Sequence, residues 1–130
     1  MGLTLLRWAG LLSNELLEKL TDFVLENSHY MSREGIKEAI IKHNRVNTCS
    51  YLEKDGKIIA VARWNVFGVT AHILDVIIDK EYRGKKLFPA LLAVSWGRFP
   101  YVKYISFERE RKYPDREERV YKITEFLRRI

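Results

Sequence analysis

At 130 residues, 47% of them hydrophobic, the chain is sized for one compact domain over residues 1–130 with a core of its own, and two domains are not expected. A single cysteine, Cys49, excludes an intramolecular disulfide framework and a cysteine-rich zinc site, and His29, His43 and His72 show no metal-ligand spacing. The net charge of +6 favours an anionic ligand or partner, although the densest charge, Glu108-Arg-Glu-Arg-Lys and Asp115-Arg-Glu-Glu-Arg, mixes both signs as a solvated surface does.

No apolar run reaches the length of a membrane span, and Met1-Gly-Leu-Thr-Leu-Leu-Arg-Trp lacks the charged head and cleavage site of a secretory signal. The expected setting is the cytoplasm, with no membrane partner. Residues 13–27 place Leu16, Leu17, Leu20, Phe23 and Val24 at helical spacing behind Ser13 or Asn14 as N-cap. A second amphipathic helix is predicted over 33–43, capped by Ser32, with Ile36, Ala39, Ile40 and His43 on one face and Asn44 at its end. His43 reads there as a boundary residue rather than a catalyst.

From Val46 the period changes to two. Residues 46–54 and 57–66 flank Asp55-Gly56, residue types that tolerate the positive φ of a tight hairpin turn. The strand predicted at 71–79 is almost continuously apolar and belongs in the middle of a sheet. A basic, glycine-containing turn, Tyr82-Arg-Gly-Lys-Lys, leads into a predicted helix through Leu87, Leu91 and Trp96 that Gly97 and Pro100 stop. A further strand is read at 101–109. The last segment carries two patterns, a helical face of Val120, Ile123, Leu127 and Ile130 and a β-rich run from Val120 to Phe126; the preferred reading is a strand in a hairpin with 101–109.

The chemistry concentrates where the strand at 71–79 meets the basic turn. Unpaired backbone N–H groups and the positive end of a helix converge after such a turn and make an anion pocket, to which Arg83, Lys85 and Lys86 add charge. Gly84 lets the backbone approach a phosphate closely.

Two helices, an Asp-Gly hairpin, a central strand, a glycine turn with its helix and a further strand make an order that resembles the GNAT superfamily of N-acetyltransferases over residues 12–110. Val76-Ile-Ile-Asp-Lys-Glu-Tyr-Arg-Gly-Lys-Lys-Leu is similar to that family's coenzyme A signature, with Glu81 at the signature's Gln/Arg position and Lys86 at its last small position. The resemblance implies an α/β (α+β) fold, a mixed and mostly antiparallel central sheet flanked by helices, in a small, truncated or divergent member. It implies acetyl-CoA as cofactor: backbone groups of Val76, Ile77 and Ile78 pair with the pantetheine arm, and amides of Arg83, Gly84, Lys85, Lys86 and Leu87 hold the pyrophosphate. It further implies a splayed gap between the strands at 71–79 and 101–109, aided by a bulge in the first, with amides there that polarise the thioester carbonyl.

Amine acylation needs a base for the ammonium proton and an acid for the departing thiolate. Asp75, inside the central strand, is the leading base candidate, against the alternative that alternation points it away from the cleft; Glu53 and His72 are weaker. Tyr104, Tyr113 and Tyr121 compete for the acid, and Tyr104 is taken. Trp8, Trp64, Trp96 and Phe99 read as core rather than as base-stacking groups, and Cys49 as packing. The reading is therefore an acetyl-CoA-dependent N-acetyltransferase acting on an amine of a small molecule or protein, with a homodimer through the open sheet edge as an option. The alternative is a non-catalytic binding module of the same fold, contacting a protein assembly or, less favoured, nucleic acid.

Overall fold

In the computed structural model the described residues are 4–6, 12–29, 32–83, 91, 99–110 and 116–122. The element order is β1 (Thr4–Leu6), α1 (Asn14–Asn27), α2 (Arg33–Arg45), β2 (Cys49–Lys54), β3 (Lys57–Phe67), β4 (Thr70–Ile78), β5 (Tyr104–Glu110) and β6 (Arg116–Lys122). The strands form one sheet in chain order, β1 to β6, antiparallel at every step except the parallel β4–β5 pair. This is the expected α/β architecture with a mixed, mostly antiparallel sheet.

Both helices start as the sequence predicts. Ser13 Oγ accepts from Leu16 N–H at 3.0 Å and Ser32 Oγ accepts from Gly35 N–H at 3.0 Å, each satisfying an N–H that the first helical turn leaves without a partner. At the other end of α1, Asn27 Nδ2 donates to the Phe23 carbonyl and Ser28 Oγ to the Val24 carbonyl, closing the last turn through side chains. α2 runs two residues past the predicted end. Val46 and Thr48 N–H groups return to the His43 carbonyl, Asn47 N–H returns to Asn44, and Asn47 takes φ +59°, the left-handed closure of a helix C-terminus. Val46 and Asn47 are thereby removed from the strand predicted at 46–54, which begins at Cys49.

Asp55 and Gly56 adopt φ +52° and +80°, the conformation that the hairpin turn requires. β4 lies centrally, between β3 and β5. Asp79, predicted as its last residue, instead caps a 3-10 turn at Lys80–Tyr82 by accepting from Glu81 N–H at 2.9 Å. β6 pairs antiparallel with β5 from Tyr104–Lys122 to Glu110–Arg116, which decides the last segment in favour of strand as far as Lys122. β1, which no local sequence pattern marks, pairs with Leu52 and its neighbours on β2. Of the helix predicted through Leu87 and Trp96, only Leu91 lies within the described residues, helical and fully buried.

The sheet carries a core on each face. Leu20, Phe23 and Val24 of α1 and Ile36 and Ile40 of α2 pack on Cys49, Tyr51, Ile58 and Val61. On the opposite face Trp64, Leu52, Ala62, Ala71 and Ile105 enclose Leu91, and Phe99 meets the Trp64 ring edge-on with centroids 6.4 Å apart. Arg33 binds Asp22 and Glu18, and Lys37 binds Glu18, across the α1–α2 seam. Truncation of the fully buried Leu20 to Ala should lower the unfolding free energy by about 2–5 kcal/mol, read as a lower urea midpoint with an unchanged slope, whereas Val46→Ala, at a position 60% exposed, should stay within about 0.5 kcal/mol.

Candidate active site

The ladder between β4 and β5 is short. It runs from Thr70–Tyr104 to Ile73–Phe107, and β4 continues to Ile78 paired with β3 but no longer with β5. Residues 74–78 there border a cleft of about 610 Å³, walled also by Asn27, Ser28 and His29 after α1 and by Arg83. Leu74, Val76, Ile77 and Ile78 give this cleft an apolar stretch, Asn27, Ser28, His29 and Asp75 give it polar groups, and Arg83 adds a cation.

The ladder with β3 shows why the strands part there. Trp64 pairs with Ile73 and Arg63 with Asp75, so Leu74 is an extra residue, a bulge on β4. Side chains alternate along a strand, and one inserted residue reverses the sense of all that follow. Ala71 and Ile73 accordingly pack with Trp64 on one face and Ile77 packs with the α1–α2 core on the other, while Val76 and Ile78 take the Trp64 side. Asp75 falls in register with Arg63 and Cys49 in a row across β4, β3 and β2. The bulge therefore turns Asp75 toward the helices, opposite to what unbroken alternation gives.

A second cavity of about 550 Å³ lies on that helix-facing side, between α1, α2 and the sheet. Its walls are mostly aliphatic, among them Val24, Ile36, Ala39, Ile40 and Val61, and its charged groups are Arg63 and Asp75. The two cavities share His29, Asp75 and Ile77. Half-buried Asp75 is held by Arg63, whose Nε donates to Oδ2 at 2.8 Å and whose Nη2 stands 2.6 Å from the same oxygen. Behind this pair, His43 is almost fully buried with Nδ1 2.7 Å from Thr48 Oγ1. Its pKa is pushed down to about 4, by burial first and then by the positive charges of Arg63 and Lys42, so it is neutral at physiological pH.

At the other end of the cleft, Arg83 donates Nε to the Ile78 carbonyl at 3.0 Å. Asp79 is held below its usual pKa chiefly by the Glu81 N–H, with Lys57 3.3 Å from its Oδ2. Tyr82 lies under the Lys54 ammonium, 5.4 Å from the ring centroid. Gly84, Lys85, Lys86 and Leu87 lie outside the described residues, as do Tyr113, Trp8, Trp96 and the side chain of Tyr121.

The structure thus gathers Asp75, Val76, Ile77, Ile78 and Arg83 along one cleft and does not bring Tyr104 to them. Tyr104 pairs with Thr70, five residues from Asp75, a separation of roughly 15 Å along the strand. His72 binds Ser106 Oγ at 2.7 Å and Glu53 pairs with Ile58 on the far side of β3, so neither shares a cavity with Asp75. Arg63 and His29 are the residues that sequence reasoning passed over. A lone arginine among the apolar residues 58–64 of β3 was a usable signal for the first; nothing local marks the second.

The sequence profile of the Acetyltransferase (GNAT) family matches residues 13–95. The chain belongs to the GNAT acetyltransferase family. Solved structures agree on the GNAT fold. The ribosomal-protein-S18-alanine N-acetyltransferase of Escherichia coli superposes with a TM-score of 0.63 at 17% identity, over 85% of this chain and 69% of that one. The PaiA N-acetyltransferase of Thermoplasma acidophilum, in complex with coenzyme A, gives 0.65 at 19% identity, over 86% and 82%. The diaminobutyrate acetyltransferase of Paenibacillus lautus, in complex with L-2,4-diaminobutyric acid and coenzyme A, gives 0.63 at 13%, over 83% and 66%. No curated protein sequence matches the chain. Membership of the GNAT family makes acetyl transfer the general activity and leaves the acceptor unidentified.

The buried His43 of this GNAT domain has a folded-state pKa below its unfolded value of 6.5, so its stabilising contribution is complete above that pH and is lost as pH falls toward 4. Urea unfolding between pH 7.5 and 4 should show a loss of at most about 3 kcal/mol from this group, and His43→Gln should flatten that part of the profile. Equal slopes in the two proteins would refute the assignment.

Proposed function

We propose that this chain is an acetyl-CoA-dependent N-acetyltransferase that acylates an amine of a small molecule or protein. The observation that carries the reading is the parting of β4 from β5 beside the Leu74 bulge, which leaves residues 74–78 along a cleft and turns Asp75 to the point where that cleft meets the helix-side cavity. Neighbours of the same fold that hold coenzyme A support it.

Acetyl-CoA, when bound, supplies an acyl group already activated as a thioester. Backbone groups of Val76, Ile77 and Ile78, on the side of β4 that β5 leaves, would hold the pantetheine arm. Arg83 would hold the pyrophosphate by charge, with Gly84, Lys85, Lys86 and Leu87 next to it in the sequence as the further groups that the family resemblance implies. The acceptor enters from the α1–α2 side, and Asp75 receives the ammonium proton, directly or through one water, so that the nitrogen lone pair becomes available. Before the acceptor arrives Arg63 fixes the carboxylate's position, and burial of the pair limits competition by water. Tyr104, opposite Thr70, has no part in this proton transfer.

A ligand that binds only the folded protein raises its melting temperature. Acetyl-CoA at about a hundred times its dissociation constant should stabilise the protein by roughly 2.7 kcal/mol, a rise of roughly 10 °C, with little effect from ADP or salt-matched phosphate. The absence of a specific shift at saturation would remove the enzyme reading and leave a non-catalytic binding module. Asp75→Asn should retain the acetyl-CoA shift while turnover on the best amine of a panel falls about 10²- to 10⁴-fold; undiminished turnover would exclude Asp75 as the base.

A further inference from the structure

We infer that the helix-side cavity selects a free aliphatic amino acid, a small zwitterion whose ammonium meets Asp75 and whose carboxylate meets Arg63. The inference rests on the N-acetyltransferase reading for the fate of the amine, but the pocket chemistry stands on its own residues. Of the charged side chains, only Arg63 and Asp75 line this cavity among the described residues, and they lie side by side in one cross-strand row, both half-buried. The rest of the wall is largely aliphatic, contributed by α1, α2 and β3. A volume of about 550 Å³ accommodates a small molecule.

Charge bookkeeping separates the acceptor classes. A plain alkylamine brings one positive charge to a pair that is already neutral, so binding to Asp75 draws the carboxylate away from Arg63 and leaves a guanidinium short of its partner in a half-buried site. A peptide N-terminus has the same defect, because its neighbouring carbonyl carries no formal charge. A zwitterion exchanges partners without net charge transfer: its carboxylate replaces Asp75 on the planar guanidinium fork and its ammonium replaces Arg63 on Asp75. Every charge stays compensated. The aliphatic walls then take a branched or linear hydrocarbon side chain and disfavour a charged one. The geometry also places the amine beside Asp75 and Ile77, where the two cavities meet, so the nitrogen that is read is the nitrogen to be acylated. In the transfer, the amine nitrogen forms the amide bond as the acyl carbon–sulfur bond of acetyl-CoA breaks; one ammonium proton goes to Asp75 and another leaves with the thiolate as thiol.

The test measures binding to the full chain, by calorimetry or saturation-transfer NMR, and turnover with acetyl-CoA. The probes are leucine, its carboxylate-free analogues leucinamide and isoamylamine, and lysine. Leucine should bind and be acetylated, with leucinamide and isoamylamine roughly 10- to 100-fold weaker in both measures. Arg63→Lys keeps the charge and loses the fork, and should abolish most of that preference by raising KM for leucine more than it lowers kcat. Ala39→Phe should fill the aliphatic part and block leucine while the melting shift with acetyl-CoA persists, which shows that the variant is folded. If acetyl-CoA binds and isoamylamine or leucinamide is acetylated as well as leucine, the zwitterion proposal is overturned and the enzyme reading stands. If leucine binds in an Arg63-dependent way but acetyl-CoA does not, the pocket assignment stands and the enzyme reading falls.

Discussion

One inserted residue governs the layout of this domain. Were Leu74 paired in the ladder rather than bulged out of it, unbroken alternation would present Asp75 on the same face as Ala71 and Ile73, the Trp64 side. With the bulge, the side-chain sense reverses after Ile73, Ile77 joins the α1–α2 core, and β4 diverges from its parallel neighbour. A central strand that leaves its neighbour offers a row of backbone donors and acceptors inside the molecule rather than at its rim. The cleft and the orientation of Asp75 thus share a single local cause.

The rest of the structure holds that region in place from both sides. Ion pairs of Arg33 and Lys37 with Glu18 and Asp22 tie α1 to α2 at the exposed seam, and Lys19 reaches the Gly56 carbonyl in the hairpin turn at 2.8 Å. Such exposed contacts contribute little stability each, and the buried aliphatic cluster beneath them does most of the holding. Their use is positional: α1 is held so that Ser28 and His29, at its end, border the same cleft as Leu74. The Arg63–Asp75 pair is different. Half-buried, it stabilises only as a pair, and its worth lies in fixing the direction of a carboxylate at the junction of two cavities.

Local signals in the sequence carried much of this fold. Ser13, Ser32, Asp55 and Gly56 acted where their chemistry predicted, because caps and tight turns are settled by a few adjacent residues. The apolar run of β4 placed it centrally, and the β-formers after Val120 went to a strand beside β5. The strand boundary at Val46 was missed because Asn47 closes α2 in the left-handed conformation, an effect of the preceding helix rather than of the strand. β1 was missed because three residues carry too little periodicity and derive their structure from the edge of β2.

The candidate site divides along the same line. Composition, the strand from Val76 to Ile78 and the basic turn at Arg83 marked where an anionic ligand belongs, since charge, glycine and strand pattern are properties of contiguous residues. The placement of Asp75 beside Arg63, twelve positions earlier, the exclusion of Tyr104 from that place, and the second cavity depend on register between strands and on a bulge that alternation cannot forecast. Sequence by itself determined the two helices, the hairpin, the central strand and the chemistry available on β4. Tertiary structure decided which way that chemistry faces and what it meets, because side-chain direction in a sheet is set by pairing across strands and not by the strand's own residues.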